Sequence, residues 1–491
     1  MSATSKQSHV TAFLIYLVFV STLGPLQFGF HLAELNAPQA VITCEKKSIT
    51  SASFSTRLPQ CLPMNASQFG LVSSIYTVGG LVGALVSGPL ATRSGRILAL
   101  RVTTVFFVVG SVAEALSPNI AILSIGRFLS GVGAGASIVV GPIYVSEIAP
   151  PSSRGFFGAF TQVMTNVGIL LTQSLGYFFS RDSLWRIILA VGAGLGLAEF
   201  LGLFLVPETP SWLVEHRQAD KARQVLQRIR GKDADIEEEI QTWKTGAPEG
   251  NGVDEEEESL LSQHTHQPSP QEPSQITILT VATNPKYRPA IIAVVIVMLA
   301  QQFTGVNSII MYSVSLLQTT LPTAAPLLAV IISVLNLVVT LACSPLPDKI
   351  GRKTCLLLSI GGMGSASVLL AIGISVGQKI ISALASLLFV ASFAVGLGPV
   401  PFILASELVG SEAVGALQSW ALSANWIATF IVAQFFPILN AALGGKGQIY
   451  WIFAALAGVF GLLIYLRVPE TKDKSSSDEV WGRVDERRRI D

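Results

Sequence analysis

The chain has 491 residues, half of them hydrophobic and only 13% charged, with a formal net charge of +1. Soluble proteins carry about a quarter charged residues, so the composition argues against a soluble globular fold, and the near-neutral balance offers nucleic acid no basic surface. The apolar excess falls in blocks of about twenty residues, the length that spans about 30 Å of hydrocarbon as a helix.

Twelve blocks run near 11–33, 68–91, 97–116, 121–144, 157–179, 186–206, 288–317, 325–346, 355–376, 380–405, 415–439 and 448–468. Continuous apolar runs exclude a closed barrel, whose short strands alternate. The predicted fold class is therefore an all-α membrane protein: twelve transmembrane helices in two six-helix bundles. The domains read as 1–206 (first bundle), 207–286 (linker), 287–470 (second bundle) and 471–491 (tail).

The first block has no small-residue cleavage site beside it and reads as a helix, not a removed signal peptide. It carries His31, with Glu34 one turn on. The loop that follows holds Cys44 and Cys61, which can pair if it faces an oxidising compartment. Asn65-Ala-Ser67 fits a glycosylation sequon, but it abuts the second block and reads better as a helix cap. Between blocks 2 and 3 stands Arg93-Ser-Gly-Arg96, and Glu147 and Arg154 follow block 4. Gly131 to Ala136 loosely matches a dinucleotide fingerprint; no strand precedes it, so close helix packing is the expectation.

Block 5 places Gln162, Asn166, Ile169 and Gln173 on one helical face. After block 6 comes Pro207-Glu208-Thr209 and a stretch in which Leu213, Val214, Val225, Leu226 and Ile229 recur at roughly helical spacing. Short amphipathic helices are expected there. Beyond Gly231 the chain turns acidic and polar and cannot bury a core. This part contains an acidic dileucine pattern, Glu256 with Leu260 and Leu261, suited to a sorting adaptor and to delivery to a vacuole-like membrane.

The second half opens with Gln301, Gln302, Thr304, Gly305 and Asn307 in block 7. Block 8 carries Ser333, Asn336, Thr340 and Ser344 on one face. Lys349-Ile-Gly-Arg352 follows it. Gly396 to Pro401 must break or kink block 10. Glu407 follows block 10, Asn425 and Thr429 lie in block 11, and Pro469-Glu470-Thr471 follows block 12.

Three pairs of motifs recur in the same order at offsets of 256, 260 and 262 residues: Arg93 with Lys349, Glu147 with Glu407, and Pro207 with Pro469. This is an internal duplication, the pattern of carriers with a site between two repeats. Basic residues in the even-numbered interhelical loops and the tail place both termini and the linker in the cytoplasm. Opposed charges there, Arg93, Arg96 and Arg154 with Glu147, and Lys349 and Arg352 with Glu407, are candidate cytoplasmic gate residues.

Polar groups inside a bilayer are costly and face a cavity or another helix. Here they are amides, which both donate and accept and so match a neutral polyol. An anion site would show intramembrane Arg or Lys instead.

These motifs resemble the sugar-porter family of the major facilitators over nearly the whole chain. They are GPLQFGFHLAELNAPQ, GPLATRSGR, GRFLSGVGAG, PIYVSEIAPPSSRG, PETP, QQFTGVN, DKIGRK and VPETK. The ending NAPQ looks most like facilitative glucose transporters and related fungal carriers. The resemblance implies a neutral sugar as substrate, held by Gln162, Gln301, Gln302, Asn307, Asn336 and Asn425. It departs from the family at helix 10, where Phe402 replaces a tryptophan and Ala394 a glutamate. It departs again at Val414, where an arginine is usual. Where proton-driven members have Asp and facilitators Asn, this chain has His31, so His31 and Glu34 are the proton-coupling candidates. The expectation is a monomeric hexose carrier, by uniport or proton symport. Its partners are the bilayer, a sugar and protons, with no nucleic acid, metal or cofactor. A nutrient sensor on the same scaffold, or an inositol carrier, is the alternative. The soluble segments carry no metal-spacing Cys/His set or nucleophile motif, so an enzyme is not expected.

Overall fold

The computed structural model describes residues 10–46, 58–150, 153–232, 234–237, 239–241, 278–318, 320–321, 323–410, 413–474 and 476–483. Every regular element among them is helical. The first block forms α1 (Ala12–Ser21) and α2 (Leu23–Ala33), interrupted at Thr22. Pro25 has no N–H to offer Ser21, which is where the first helix stops. A short α3 (Gln39–Ile42) leads into a loop closed by the Cys44–Cys61 disulfide. Then come α4 (Ala66–Ser94), α5 (Arg96–Ala115), α6 (Ile120–Ile148), α7 (Arg154–Phe179) and α8 (Trp185–Gly202).

Asn65 caps α4, as the cap reading expects. Its side chain accepts from the Gln68 N–H at 2.9 Å, and Gln68 Oε1 accepts from the Asn65 N–H at 3.0 Å. The Gly131–Ala136 run is packing surface: a Cβ on Gly135 would stand 1.8 Å from the carbonyl oxygen of Gly80 on α4. That approach lets the two backbones touch.

The linker begins with α9 (Pro210–Glu215) and α10 (Ala219–Arg230), the expected amphipathic helices. Leu213, Leu226 and Ile229 are buried, whereas Val214 and Val225 are half-buried. Glu256, Leu260 and Leu261 lie outside the described residues.

The second half starts with α11 (Ile278–Thr283), then α12 (Arg288–Phe303) and α13 (Val306–Gln318), separated at Thr304 and Gly305. Next are α14 (Ala325–Cys343), the short α15 (Leu346–Ile350) and α16 (Arg352–Val376). Block 10 is broken as expected, into α17 (Lys379–Val395) and α18 (Val400–Glu407) around Gly396–Pro399. The bundle ends with α19 (Val414–Ala442) and α20 (Ile449–Arg467), and a one-turn α21 (Ser477–Val480) follows. Among the described residues, eleven spans are long and apolar enough to cross a membrane. The long helix outside that set is α7, the one with the Gln162–Gln173 face, and it completes the pattern of twelve.

The duplication is visible atom by atom. Gly95 and Gly351 have φ of 97° and 96°, and a Cβ on either would lie 2.4 Å from a carboxylate oxygen, of Glu208 or of Glu470. Glu208 accepts from the N–H groups of Arg96 and Ile97 at 3.1 and 3.0 Å. Glu470 accepts from those of Arg352 and Lys353 at 2.8 and 3.1 Å. Each acidic residue of the repeated Pro-Glu-Thr thus caps a helix whose first N–H groups have no other partner.

The two halves are held together from the disulfide end to mid-depth. Asn36 donates to Ser313 Oγ at 2.9 Å and accepts from the Val314 N–H at 3.1 Å. Ser74 donates to Gln434 at 2.8 Å. Trp426 of α19 meets the rings of Phe28 and Tyr76 edge-on. Among the described residues, no hydrogen bond or ion pair joins the halves at the level of Arg96, Glu147, Arg352 and Glu407.

Candidate functional site

The broken helices assemble the first group of amides. The interruption between α17 and α18 frees backbone carbonyls, and Gln301 Nε2 donates to that of Leu397 at 2.6 Å. Gln301 Oε1 accepts from Gln302 Nε2 at 3.1 Å and from Asn425 Nδ2 at 2.5 Å. Gln302 Oε1 accepts from Asn307 Nδ2 at 2.6 Å. Four of the expected amides, from two transmembrane segments, therefore form one uncharged chain of hydrogen bonds.

The second group crosses between the halves. Asn336 of α14 donates to Asn166 of α7 at 3.1 Å, and Asn166 donates to Thr340 at 3.0 Å. Gln173 reaches the Ile310 carbonyl at 3.3 Å, leaving its own Oε1 buried and without a hydrogen bond. A void of about 10 Å³ beside Gln173, Ser313, Ser333 and Asn336 has room for a single water. Gln162 stands one turn from Asn166 on the same face, half-buried, with no side-chain hydrogen bond among the described residues. Phe402 on α18 is 42% exposed.

The first bundle holds a different chemistry. His31 Nδ1 lies 2.9 Å from Glu34 Oε2. Arg127 of α6 pairs with the other Glu34 oxygen and donates to the His31 carbonyl at 2.8 Å. The guanidinium also sits 4.5 Å from the Tyr76 ring centre. Glu114 of α5 accepts from Ser130 at 2.7 Å. His31, Glu34, Glu114 and Arg127 are all buried. Donor atoms of His31, Glu34 and Glu114 lie within 4.8 Å of one another. Glu34, however, already uses both oxygens on Arg127 and His31, so a metal ion would have to displace a guanidinium.

Sequence reasoning found His31 and Glu34 but passed over Arg127, Glu114 and Glu199. The signal was present: each is an ionisable residue within an apolar block, which is uncommon enough to mark a site. Asn36, whose amide bridges the halves, was passed over as well.

At the charged-loop end, Arg96 pairs with Glu147 at 2.8 Å and Arg352 with Glu407 at 2.8 Å. Thr209 and Thr471 donate to the same two glutamates at 2.5 Å each. Both clusters lie within one half. Arg93, in the last turn of α4, and Lys349, in α15, are both exposed, and neither forms an ion pair among the described residues. The side chain of Arg154 lies outside the described residues.

The sequence matches the family model described as sugar (and other) transporter over residues 17–479. It is 36% identical over 482 residues to a probable metabolite transport protein of Saccharomyces cerevisiae, covering 96% of each chain. It is 30% identical over 484 residues to facilitated glucose transporter member 3 of Gallus gallus, covering 96% of this chain and 92% of that one. Its fold matches a partially occluded inward-open structure of the E. coli xylose transporter XylE with a TM-score of 0.75. That match covers 95% of this chain and 100% of the other at 24% identity. The paired bundles, the repeated motifs and the family match agree: the chain belongs to the sugar (and other) transporter family and is a multi-pass membrane protein.

Proposed function

We propose that this protein carries a neutral monosaccharide, a hexose such as glucose, by alternating access. The observation that carries the reading is the uncharged amide chain Gln301–Gln302–Asn307–Asn425, built on the break in helix 10. Amides that satisfy one another can exchange those bonds for sugar hydroxyls without leaving a charge buried. Asn336, bonded to Asn166, and Gln162 on the same face of α7 add further neutral polar groups, and the Phe402 ring offers an apolar face for a pyranose to stack on. The relative from Gallus gallus is named a glucose transporter, which supports a hexose.

Arg96 with Glu147 and Arg352 with Glu407 act as clasps that keep each half rigid while it rocks. Arg93, Arg154 and Lys349 serve as the positive anchors of the cytoplasmic loops. The acidic dileucine at Glu256, Leu260 and Leu261 supports delivery to a vacuolar or endolysosomal membrane.

Purified protein in liposomes, offered labelled hexoses, pentoses and inositol, tests the reading. Saturable hexose uptake is expected. Uptake of none of them transfers support to a sensor on this scaffold, and uptake of inositol alone to a polyol carrier.

His31 and Glu34, tied to Arg127, are the groups placed to couple transport to protons. An inward-acid gradient is expected to accelerate wild-type uptake and to act more weakly on His31→Asn. An equal response in both would remove His31 from coupling.

A further inference from the structure

One buried acid has no part in any of the above. Glu199 lies on α8 with its side chain wholly inside the first bundle, against α2. Gln27 Nε2, equally buried, donates to Glu199 Oε2 at 2.6 Å. Glu199 Oε1 and Gln27 Oε1 are both buried without a hydrogen bond. They occupy the same narrow interface. A Cβ on Gly24 of α2 would stand 3.3 Å from Glu199 Oε1, and one on Gly196 of α8 would stand 3.2 Å from Gln27 Oε1.

The charged and titratable groups on the elements around this pair are engaged elsewhere. Tyr16 of α1 donates to the Gly202 carbonyl at 2.8 Å, and Arg101 of α5 to the Leu203 carbonyl at 3.0 Å. On α2, His31 and Glu34 bond each other; on α5, Glu114 takes Ser130; on α6, Arg127 takes Glu34. Tyr177 of α7 is exposed near the far end of its helix. None of them makes an ion pair with Glu199 among the described residues.

An ionised carboxylate only accepts, so it would leave two buried acceptor oxygens in this interface without a donor, and a full charge with no cation. Burying an unpaired charge costs several kcal/mol even after relaxation. A carboxylic acid removes both faults. Its O–H supplies the donor that the Gln27 carbonyl oxygen lacks, and the amide N–H already serves the other carboxyl oxygen. The pair becomes a closed ring of two hydrogen bonds.

We propose that Glu199 and Gln27 form a proton-binding site inside the first bundle, separate from His31 and Glu34. Glu199 holds the proton on Oε1 and donates it to Gln27 Oε1. The proton is taken from water and returned to water, and only the carboxyl O–H bond forms or breaks. The site does not depend on which solute is carried.

Infrared spectra of the full-length protein in lipid at neutral pH distinguish the carbonyl stretch of a protonated carboxyl from that of an ionised one. Glu199→Gln is expected to remove the intensity of one protonated carboxyl per chain. Gln27→Leu, which takes away the acceptor, is expected to move that band to higher frequency. Glu114→Gln serves as the control for the neighbouring acid and should leave the Glu199 band in place. Full retention of the band in folded Glu199→Gln overturns the proposal. Should that variant not fold, an unmoved band in Gln27→Leu overturns it equally.

Discussion

The two halves share an architecture and a set of charged clasps, yet their interiors differ in kind. The first bundle buries Arg127, His31, Glu34, Glu114 and Glu199. The second buries Gln301, Gln302, Asn307 and Asn336, and among its described transmembrane residues no charged side chain is buried. Duplication therefore preserved what holds a bundle together and left its interior free to diverge. A charge network suits a group that must sense protons, and neutral amides suit one that must grip and release hydroxyls. Under the proposed function, separating them keeps the sugar away from a strong fixed field.

The contrast is broken most directly at Arg127. Arg127→Leu leaves Glu34 and Glu114 without their cation and should cost about 3–5 kcal/mol of stability. Thermal unfolding of the purified protein reads this, and a melting temperature equal to wild type would mean that the network is not energetically central.

A smaller effect is expected from Gln301→Ala in the neutral half. It removes one hydrogen-bonding group from the proposed sugar path and should weaken sugar affinity about tenfold, at a stability cost of about 1–3 kcal/mol. Unchanged half-saturation in liposome uptake would detach Gln301 from the substrate.

The repeated helix caps should respond least and alike. Glu208→Ala and Glu470→Ala each remove a helix cap and should each cost about 1 kcal/mol. Markedly unequal costs would show that the repeated motif has ceased to do the same work in both halves.

Much of the fold was legible in the sequence because the bilayer imposes one length and one polarity on each span. The break in helix 10 was legible because Gly396 to Pro401 cannot continue a helix. The interruption at Thr22 was missed, since a lone Pro25 near the end of a block gives no comparable warning. Gln301, Gln302, Asn307 and Asn425 join one chain of hydrogen bonds and Asn336 joins Asn166, a grouping not readable in the sequence: Gln301 and Asn425 stand 124 positions apart and meet at 2.5 Å. Charge alone also does not tell which arginine or lysine reaches a carboxylate: Arg96 and Arg352 do, and Arg93 and Lys349 are exposed.

By itself the sequence determined the class of molecule, the twelve spans and the duplication, because each follows from local composition and spacing. Tertiary structure alone decided that Cys44 pairs with Cys61, that Asn36 ties the halves together, and that Arg127 meets Glu34. The last two contacts depend on how helices distant in the chain are packed, and the first on how the loop after α3 folds back. Spacing along one helix fixes which face a residue occupies, but not which partner waits on the other side.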